Sequence, residues 1–215
     1  MTNSSIAIVD YGVGNLLSVQ RAFHYLNIDA FLTDDPNLIR RAGKVVIPGV
    51  GAFPSAMKFL NQYGIADELK SLVQKNSPIL GICLGMQMLF ERSEEYGVTE
   101  GLGIIKGSIE SMRRSIPTST GVKIPQIGWH PLRQKRGINS KDSLVLKEFN
   151  FNSEVYFVHS YMSRPVEASV IKSYYALGEV EVPAIVELGN TIGCQFHPEK
   201  SGPVGLKILK QFSAL

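Results

Sequence analysis

The first half of the chain alternates short apolar runs with amphipathic ones, and this alternation limits the possible folds more than any other feature. Residues 6–10, 30–32, 44–47 and 78–82 read as short buried strands. Residues 15–26, 52–74 with a break near Gly64, and 85–92 carry helical patterning. Strands and helices in alternation predict an α/β fold, with a central parallel sheet and helices on both faces. The second half differs: 107–111, 155–158, 168–174, 184–187 and 191–196 are strand-like, and a closing helix spans 203–212. This predicts a mixed sheet with an antiparallel addition. Residues 113–147, rich in Ser, Pro, Gly and charge, read as loop with short strands.

With 215 residues and 44% hydrophobic content, the chain can fill one core and is short for two, so a single domain over 1–215 is expected. The net charge of +3 is spread out apart from pairs such as Arg113-Arg114 and Lys135-Arg136, which fit solvated loops rather than a nucleic-acid surface. The opening residues have no positive n-region ahead of a long apolar run, and no stretch approaches the ~20 apolar residues that span a bilayer. A soluble cytoplasmic protein is expected. The two cysteines, Cys83 and Cys194, cannot form a disulfide framework and are expected as free thiols.

Chemistry concentrates in three segments at the ends of expected strands. Gly81-Ile82-Cys83-Leu84-Gly85 has the form of a nucleophile elbow with Cys in place of Ser, its glycines leaving room for a strained strand-to-helix turn. The turn sets the thiol at a helix N-terminus, where the partial positive charge favours thiolate. A small core cysteine between packing glycines would show the same five residues. His197-Pro198-Glu199 supplies a base and an orienting carboxylate. If the preceding strand's period of two continues, both side chains fall on one face, giving a triad in the order Cys83, His197, Glu199. A strand-terminal His beside a solvated Glu is the plainer alternative, and His24, His130 and His159 compete for the base. Of these, His24 sits within an amphipathic helix and reads as structural. Pro48-Gly49-Val50-Gly51 lets peptide N–H groups approach a developing oxyanion, although a plain tight turn would have the same residues. Open α/β sheets place their sites at the carboxyl ends of strands, so the coincidence of the three outweighs each alone.

No metal-ligand spacing is present, so no metal or other cofactor is expected. The loop Asp10-Tyr11-Gly12-Val13-Gly14-Asn15 lacks the third glycine of a dinucleotide fingerprint and reads as a strand-to-helix turn near the site. Cys194, inside an expected strand, reads as a core residue.

These residues resemble the class I, triad-type glutamine amidotransferases. The resemblance rests on Pro48-Gly49-Val50-Gly51, on Gly81-Ile82-Cys83-Leu84-Gly85-Met86-Gln87 and on Gln195-Phe196-His197-Pro198-Glu199-Lys200-Ser201. Asp10 to Asn15, Gly128-Trp129 and Val155-Tyr156-Phe157-Val158-His159-Ser160-Tyr161 make the chain similar to the glutaminase subunits of imidazole glycerol phosphate synthases. The resemblance implies a flavodoxin-like α/β fold and a Cys83, His197, Glu199 triad. Backbone groups of Gly49, Val50, Gly51 and Leu84 would serve the oxyanion. Gly51, Gln87, His159, Ser160 and Tyr161 would surround bound glutamine. It also implies a (β/α)8-barrel cyclase as partner, faced by Asn15, Trp129, Tyr156 and Lys200 and fed with ammonia for histidine biosynthesis. The oxyanion loop would become productive only on partner binding, by reorientation of the Val50 peptide.

The chain departs from the family pattern at Gln126 and His130, around Gly128-Trp129, and lacks the Arg-Phe pair near Ser111-Met112. Two other readings stay open on sequence grounds. One is a paralogous glutaminase serving a cyclase-like partner that forms amidines in bacterial surface sugars. The other is a free-standing cysteine hydrolase, against which Gln87 and His159-Ser160-Tyr161 argue.

Overall fold

The structure is a computed structural model that describes residues 5–12, 15–117, 121–147, 149–151 and 153–215. Val13 and Gly14, in the loop that the resemblance draws on, lie outside the described residues.

The expected α/β alternation is present. In chain order the first half runs β1 (Ile6–Val9), α1 (Leu16–Tyr25), β2 (Ala30–Thr33), α2 (Pro36–Arg41), β3 (Lys44–Ile47), α3 (Phe53–Gln62), α4 (Ile65–Gln74), β4 (Ile79–Ile82) and α5 (Leu84–Met88). There follow β5 (Phe90–Ser93), β6 (Thr99–Glu100), β7 (Ile105–Ser111), α6 (Met112–Ser115), β8 (Gln126–Pro131), β9 (Arg133–Gln134) and β10 (Glu154–His159). The chain closes with β11 (Tyr161–Pro165), β12 (Ile171–Leu177), β13 (Val180–Leu188), β14 (Thr191–Cys194) and α7 (Gly202–Ser213).

The main sheet has eight strands in the order β2-β1-β3-β4-β14-β13-β12-β9. The first five are parallel and the remainder antiparallel, which matches the expected mixed sheet. Its parallel strands are buried on both faces, as crossover connections demand. Val46, Leu80 and Ile82 face a core completed by Val19 and Phe23 of α1 and by Ile208 and Phe212 of α7. Val45, Ile47 and Ile79 face the other, against Leu60 of α3 and Leu69 and Leu72 of α4.

Local signals explain the boundaries. The break between α3 and α4 falls at Gly64, in the left-handed region at φ 69°, where a side chain would be strained. Helix α2 was not expected, because six residues carry too little periodicity. Its entry is nonetheless encoded: Asp35 Oδ1 accepts from the Asn37 N–H at 2.8 Å and Pro36 opens the first turn.

Two expectations need correction. The helix expected over 85–92 ends at Met88, and Phe90–Ser93 forms β5, paired in parallel with β7. The buried run Leu84–Phe90 does not distinguish helix from strand by period, and beyond it the β7 edge makes Phe90–Ser93 a strand with Glu91 and Arg92 exposed. The expected strand over 168–174 begins as a 3-10 turn, Ala168–Val170, before β12. The antiparallel addition includes two smaller sheets apart from the main one, β10-β8 and β11-β7-β5-β6, in the second of which β5 and β7 pair in parallel. The chain steps from the former to the latter at Ser160, between β10 and β11.

Candidate active site

Strand β4 ends at Ile82, and Cys83 turns the chain into α5 with φ 54° and ψ −108°. This is a left-handed φ on a non-glycine residue, a strain that persists only where the surroundings impose it. They do so through close packing. A Cβ on Gly85 would lie 1.7 Å from the Ile47 carbonyl oxygen, and one on Gly81 would lie 2.6 Å from the Gly85 oxygen. Both glycines of the elbow are therefore required by contact. The Cys83 N–H is tied to the Cys194 carbonyl at 2.7 Å, so β14 holds the elbow from its other side.

The expected base and carboxylate lie just beyond β14. His197 Nδ1 lies 2.8 Å from Glu199 Oε1, with the two side chains 2% and 1% exposed. The expected pairing is present, but strand alternation does not produce it. Strand β14 stops at Cys194, and His197 precedes a 3-10 turn, Pro198–Lys200, which folds Glu199 back beneath the imidazole. The His197 N–H donates to the Tyr156 carbonyl, and the Ser201 hydroxyl donates to the His197 carbonyl at 2.6 Å. Burial by itself pushes the imidazole pKa down; interaction with Cys83 and with Glu199 outweighs it and raises the value to about 10. His197 Nε2 and Glu199 Oε2 are buried without a conventional hydrogen-bond partner. Nε2, the imidazole nitrogen not held by Glu199, is thus the one left to exchange a proton with the Cys83 sulfur that acts on His197.

The other histidines are accounted for. His24 contacts the Ala30 carbonyl at 3.1 Å, a structural position as expected. His130 packs its ring against Phe157 and Tyr175. His159 lies beside the site, yet both its nitrogens are committed. Nδ1 faces the Tyr161 carbonyl at 2.7 Å, so it carries the proton, and Nε2 accepts from the Tyr175 hydroxyl at 2.8 Å. Burial lowers its pKa to about 4 and keeps it neutral. His159 thus offers a ligand its backbone while its ring braces the wall. Cys194 is fully buried and its thiol is pushed up by burial, consistent with a core role.

A cavity of about 520 Å³ opens over Cys83, within the range of small-molecule sites. Val50, Gly51, Leu84, Gln87, His159, Ser160 and Tyr161 line it, so every residue expected around glutamine is on its wall. Sequence reasoning missed Glu95, Arg113 and Pro125, which also line it. Arg113 was read as solvated loop; its guanidinium instead donates to the Ile124 carbonyl at 2.8 Å at the cavity's edge. Glu95 Oε2 accepts from the Phe53 N–H at 2.7 Å. No local pattern marks either residue.

The loop after β3 is not arranged as an oxyanion hole. The Leu84 N–H, an unpaired donor of the first helical turn, donates to the Gly49 carbonyl at 3.4 Å. Because Gly49 C=O and Val50 N–H belong to one trans peptide, the Val50 donor points the opposite way. The Tyr11 hydroxyl donates to the Pro48 carbonyl. A Cβ on Gly49 would sit 2.3 Å from the Tyr11 hydroxyl oxygen, so only glycine permits this close approach.

Beside the triad, Trp129 meets Tyr156 edge to face at 5.8 Å and the Lys200 ammonium lies 5.9 Å from the Tyr156 ring centroid. Trp129 is 50% exposed. Asn15 precedes α1, which packs against the Pro198–Lys200 turn. The residues expected to face a partner therefore surround one end of the site. Gln126, one of the departures, holds the Lys123 carbonyl at 2.5 Å.

Fold and site together define a cysteine elbow with a buried His-Glu pair at the carboxyl edge of a mixed, mainly parallel sheet. The chain belongs to the glutamine amidotransferase class-I family, whose model matches residues 7–214. It is 45% identical over 212 residues to the imidazole glycerol phosphate synthase subunit HisH of Caldanaerobacter subterraneus subsp. tengcongensis, covering 98% of both chains. It is 44% identical to the subunit of the same name from Lactococcus lactis subsp. lactis, covering 96% of each. A crystal structure of a glutamine amidotransferase superimposes with a TM-score of 0.73 at 19% identity, over 97% of this chain and 99% of that one, a likeness of fold.

Among the described residues no helix is long and apolar enough to cross a membrane.

Proposed function

We propose that this chain is the glutaminase subunit of an imidazole glycerol phosphate synthase, hydrolysing glutamine and passing the ammonia to a (β/α)8-barrel cyclase in cytoplasmic histidine biosynthesis. The observation that carries the chemistry is the buried His197–Glu199 contact at 2.8 Å beside a cysteine held at positive φ over a cavity. The acceptor is argued from the full-length similarity to subunits that bear that name, and no observation favours either other reading.

In this mechanism the Cys83 thiolate attacks the glutamine side-chain carbonyl carbon, and the electron pair moves to its oxygen. The tetrahedral intermediate collapses, the C–N bond breaks and His197 gives its proton to the departing nitrogen, releasing ammonia and leaving a γ-glutamyl thioester. Water, deprotonated by His197, attacks the thioester; the C–S bond breaks and glutamate leaves. Glu199 holds the imidazole and stabilises its charged form. Arg113 and Glu95, both on the cavity wall, would offer opposite charges to the amino acid's carboxylate and ammonium.

The arrangement in which the Leu84 N–H is held by the Gly49 carbonyl is the resting one. With the Gly49 carbonyl turned toward the elbow, a developing oxyanion would meet oxygen rather than hydrogen. Rotation of the Gly49–Val50 peptide would release the Leu84 N–H and bring in the Val50 N–H, completing two donors. Gly51, at φ 106°, can absorb the backbone change. Docking of the cyclase on the Trp129, Tyr156, Lys200 and Asn15 surface would drive that rotation.

The test is glutamate release by the purified chain, alone and with the cyclase and its nucleotide substrate, against Cys83→Ala. Low turnover alone, rising steeply with both additions and vanishing in the variant, is expected. Cys83-dependent turnover indifferent to that cyclase would remove the partner assignment, and turnover that survives Cys83→Ala would remove the triad.

A further inference from the structure

The mechanism leaves unused one buried polar group beside the nucleophile. Gln195 is fully buried, and its backbone N–H donates to the Ala184 carbonyl at 2.9 Å, so β13 fixes where its side chain begins. Its carboxamide closes a chain of three polar contacts. The Tyr161 carbonyl can only accept, so the Gln87 atom that faces it at 3.4 Å is the donor Nε2. The same Nε2 lies 3.1 Å from Gln195, and the atom there is the acceptor Oε1. The remaining atom, Gln195 Nε2, therefore faces Cys83 Sγ at 3.7 Å. Turning the carboxamide over would set two N–H groups against each other at one end and oxygen against sulfur at the other, a costly mismatch for a fully buried side chain.

We infer that Gln195 is a positioning residue for the nucleophile: its side-chain N–H is a fixed hydrogen-bond donor to the Cys83 sulfur, oriented through Gln87 by the Tyr161 carbonyl. The inference rests on the reading of Cys83 as the nucleophile. A sulfur bearing charge accepts far better than a thiol, so a donor fixed there favours the attacking form. It acts against the Val158 carbonyl, 3.8 Å from the sulfur on another side, which can accept only from the thiol. Gln87 also lines the cavity, so a ligand that engages Gln87 acts on the same chain of contacts. The titratable groups facing Cys83 are His197, from the turn after β14, and Tyr11, from the loop after β1. Glu199 and His159 bear on His197 in turn, and Glu95 and Arg113 share the cavity wall.

The test is iodoacetamide alkylation of Cys83 as a function of pH in the full chain, read by mass spectrometry, for the wild type, Gln195→Met and Gln195→Glu. Gln195→Met removes the donor at similar volume. Its alkylation midpoint is expected about one pH unit higher, with alkylation below the midpoint slowed roughly tenfold and the plateau at high pH unchanged. Gln195→Glu keeps the acceptor for Gln87 and sets a carboxylate against the sulfur, and its midpoint is expected to rise further. In the wild type, the Gln195 side-chain amide resonance is expected to titrate with the Cys83 midpoint and to stop doing so in Cys83→Ser, a readout independent of whether the variants fold. An unchanged midpoint in folded variants, or a wild-type amide resonance that ignores the titration, overturns the role of Gln195 and leaves the nucleophile in place. A wild-type Cys83 that resists alkylation at every pH overturns the nucleophile itself.

Discussion

Replacing Glu199 with Gln separates the electrostatic role of the carboxylate from its role as a spacer. The amide keeps an oxygen where Oε1 now accepts from His197 Nδ1 at 2.8 Å, so the imidazole retains its tautomer and place. What disappears is the negative charge beneath the imidazolium. Exchanging a charge-assisted hydrogen bond for a neutral one costs about 1–2 kcal/mol. The direct charge interaction, at ~4 Å between centres and an effective dielectric near 20, is worth up to about 4 kcal/mol. In the proposed mechanism, activation of the thiol and release of ammonia both pass through charged His197, so the barrier is expected to rise by about 2–4 kcal/mol, a 30- to 1,000-fold fall in kcat/KM. The fold should persist, because a neutral His–Gln pair is cheaper to bury than an ion pair. The pH profile carries a second signature. Glu199 is one of two groups that hold His197 up at about 10, so without it the proton leaves sooner and the alkaline limb of glutaminase activity moves to lower pH. The assay is partner-stimulated glutamate release across pH, beside thermal unfolding. A variant within threefold of wild type, with its alkaline limb in place, would refute the reasoning.

Tyr11→Phe removes the hydroxyl that holds the Pro48 carbonyl; it should cost about 1–2 kcal/mol in chemical denaturation and raise partner-independent glutamate release several-fold by loosening the resting loop. Gly85→Ala would place a methyl 1.7 Å from the Ile47 oxygen, pushing α5 off β3. Activity should fall at least a hundredfold and stability by about 3 kcal/mol, as overpacking does, both read on the purified variant. The two buried histidines give opposite pH dependences of stability. His197, raised from 6.5 to about 10, contributes stability that is complete below pH 6.5 and lost as pH rises toward 10. His159, lowered from 6.5 to about 4, contributes stability present above pH 6.5 and lost as pH falls through 4. Denaturation midpoints should therefore decline on both sides of about pH 6.5, and His197→Gln should flatten only the alkaline side.

The sheet's parallel half was legible because its strands are continuous apolar runs separated by helices with one apolar stripe, and each period points one way. Val45 and Val46 sit on opposite faces of one strand, yet both meet a core, so the run alone announces burial on both sides. Phe90–Ser93 shows the limit of that logic. Its apolar start continues the α5 pattern, and only the distant β7 edge turns it into a strand. Tyr161–Pro165 was illegible for a related reason, and the short strand Gln126–Pro131 within the expected loop region could not be placed: each is stabilised by one partner strand remote in sequence.

The site divides along a similar line. The proposed triad Cys83, His197 and Glu199 could be picked out because each needs a particular side chain at a particular kind of turn, and such turns leave glycine and proline in the sequence. Even there, the route differed from the expectation: Pro198 starts a 3-10 turn, and that turn, rather than strand alternation, brings Glu199 under His197. Other parts depend on which way a dipole points. The Gly49 carbonyl occupies the Leu84 donor, His159 spends both nitrogens on its own wall, and Gln195 faces the sulfur with nitrogen because Tyr161 presents oxygen at the far end. Residue identity fixes none of these orientations; each is set by a neighbour that can only donate or only accept. A reading of sequence alone can therefore pick out candidate groups for the chemistry, whereas in the function proposed here the resting and ready states differ by one peptide, Gly49–Val50, whose two orientations have the same sequence.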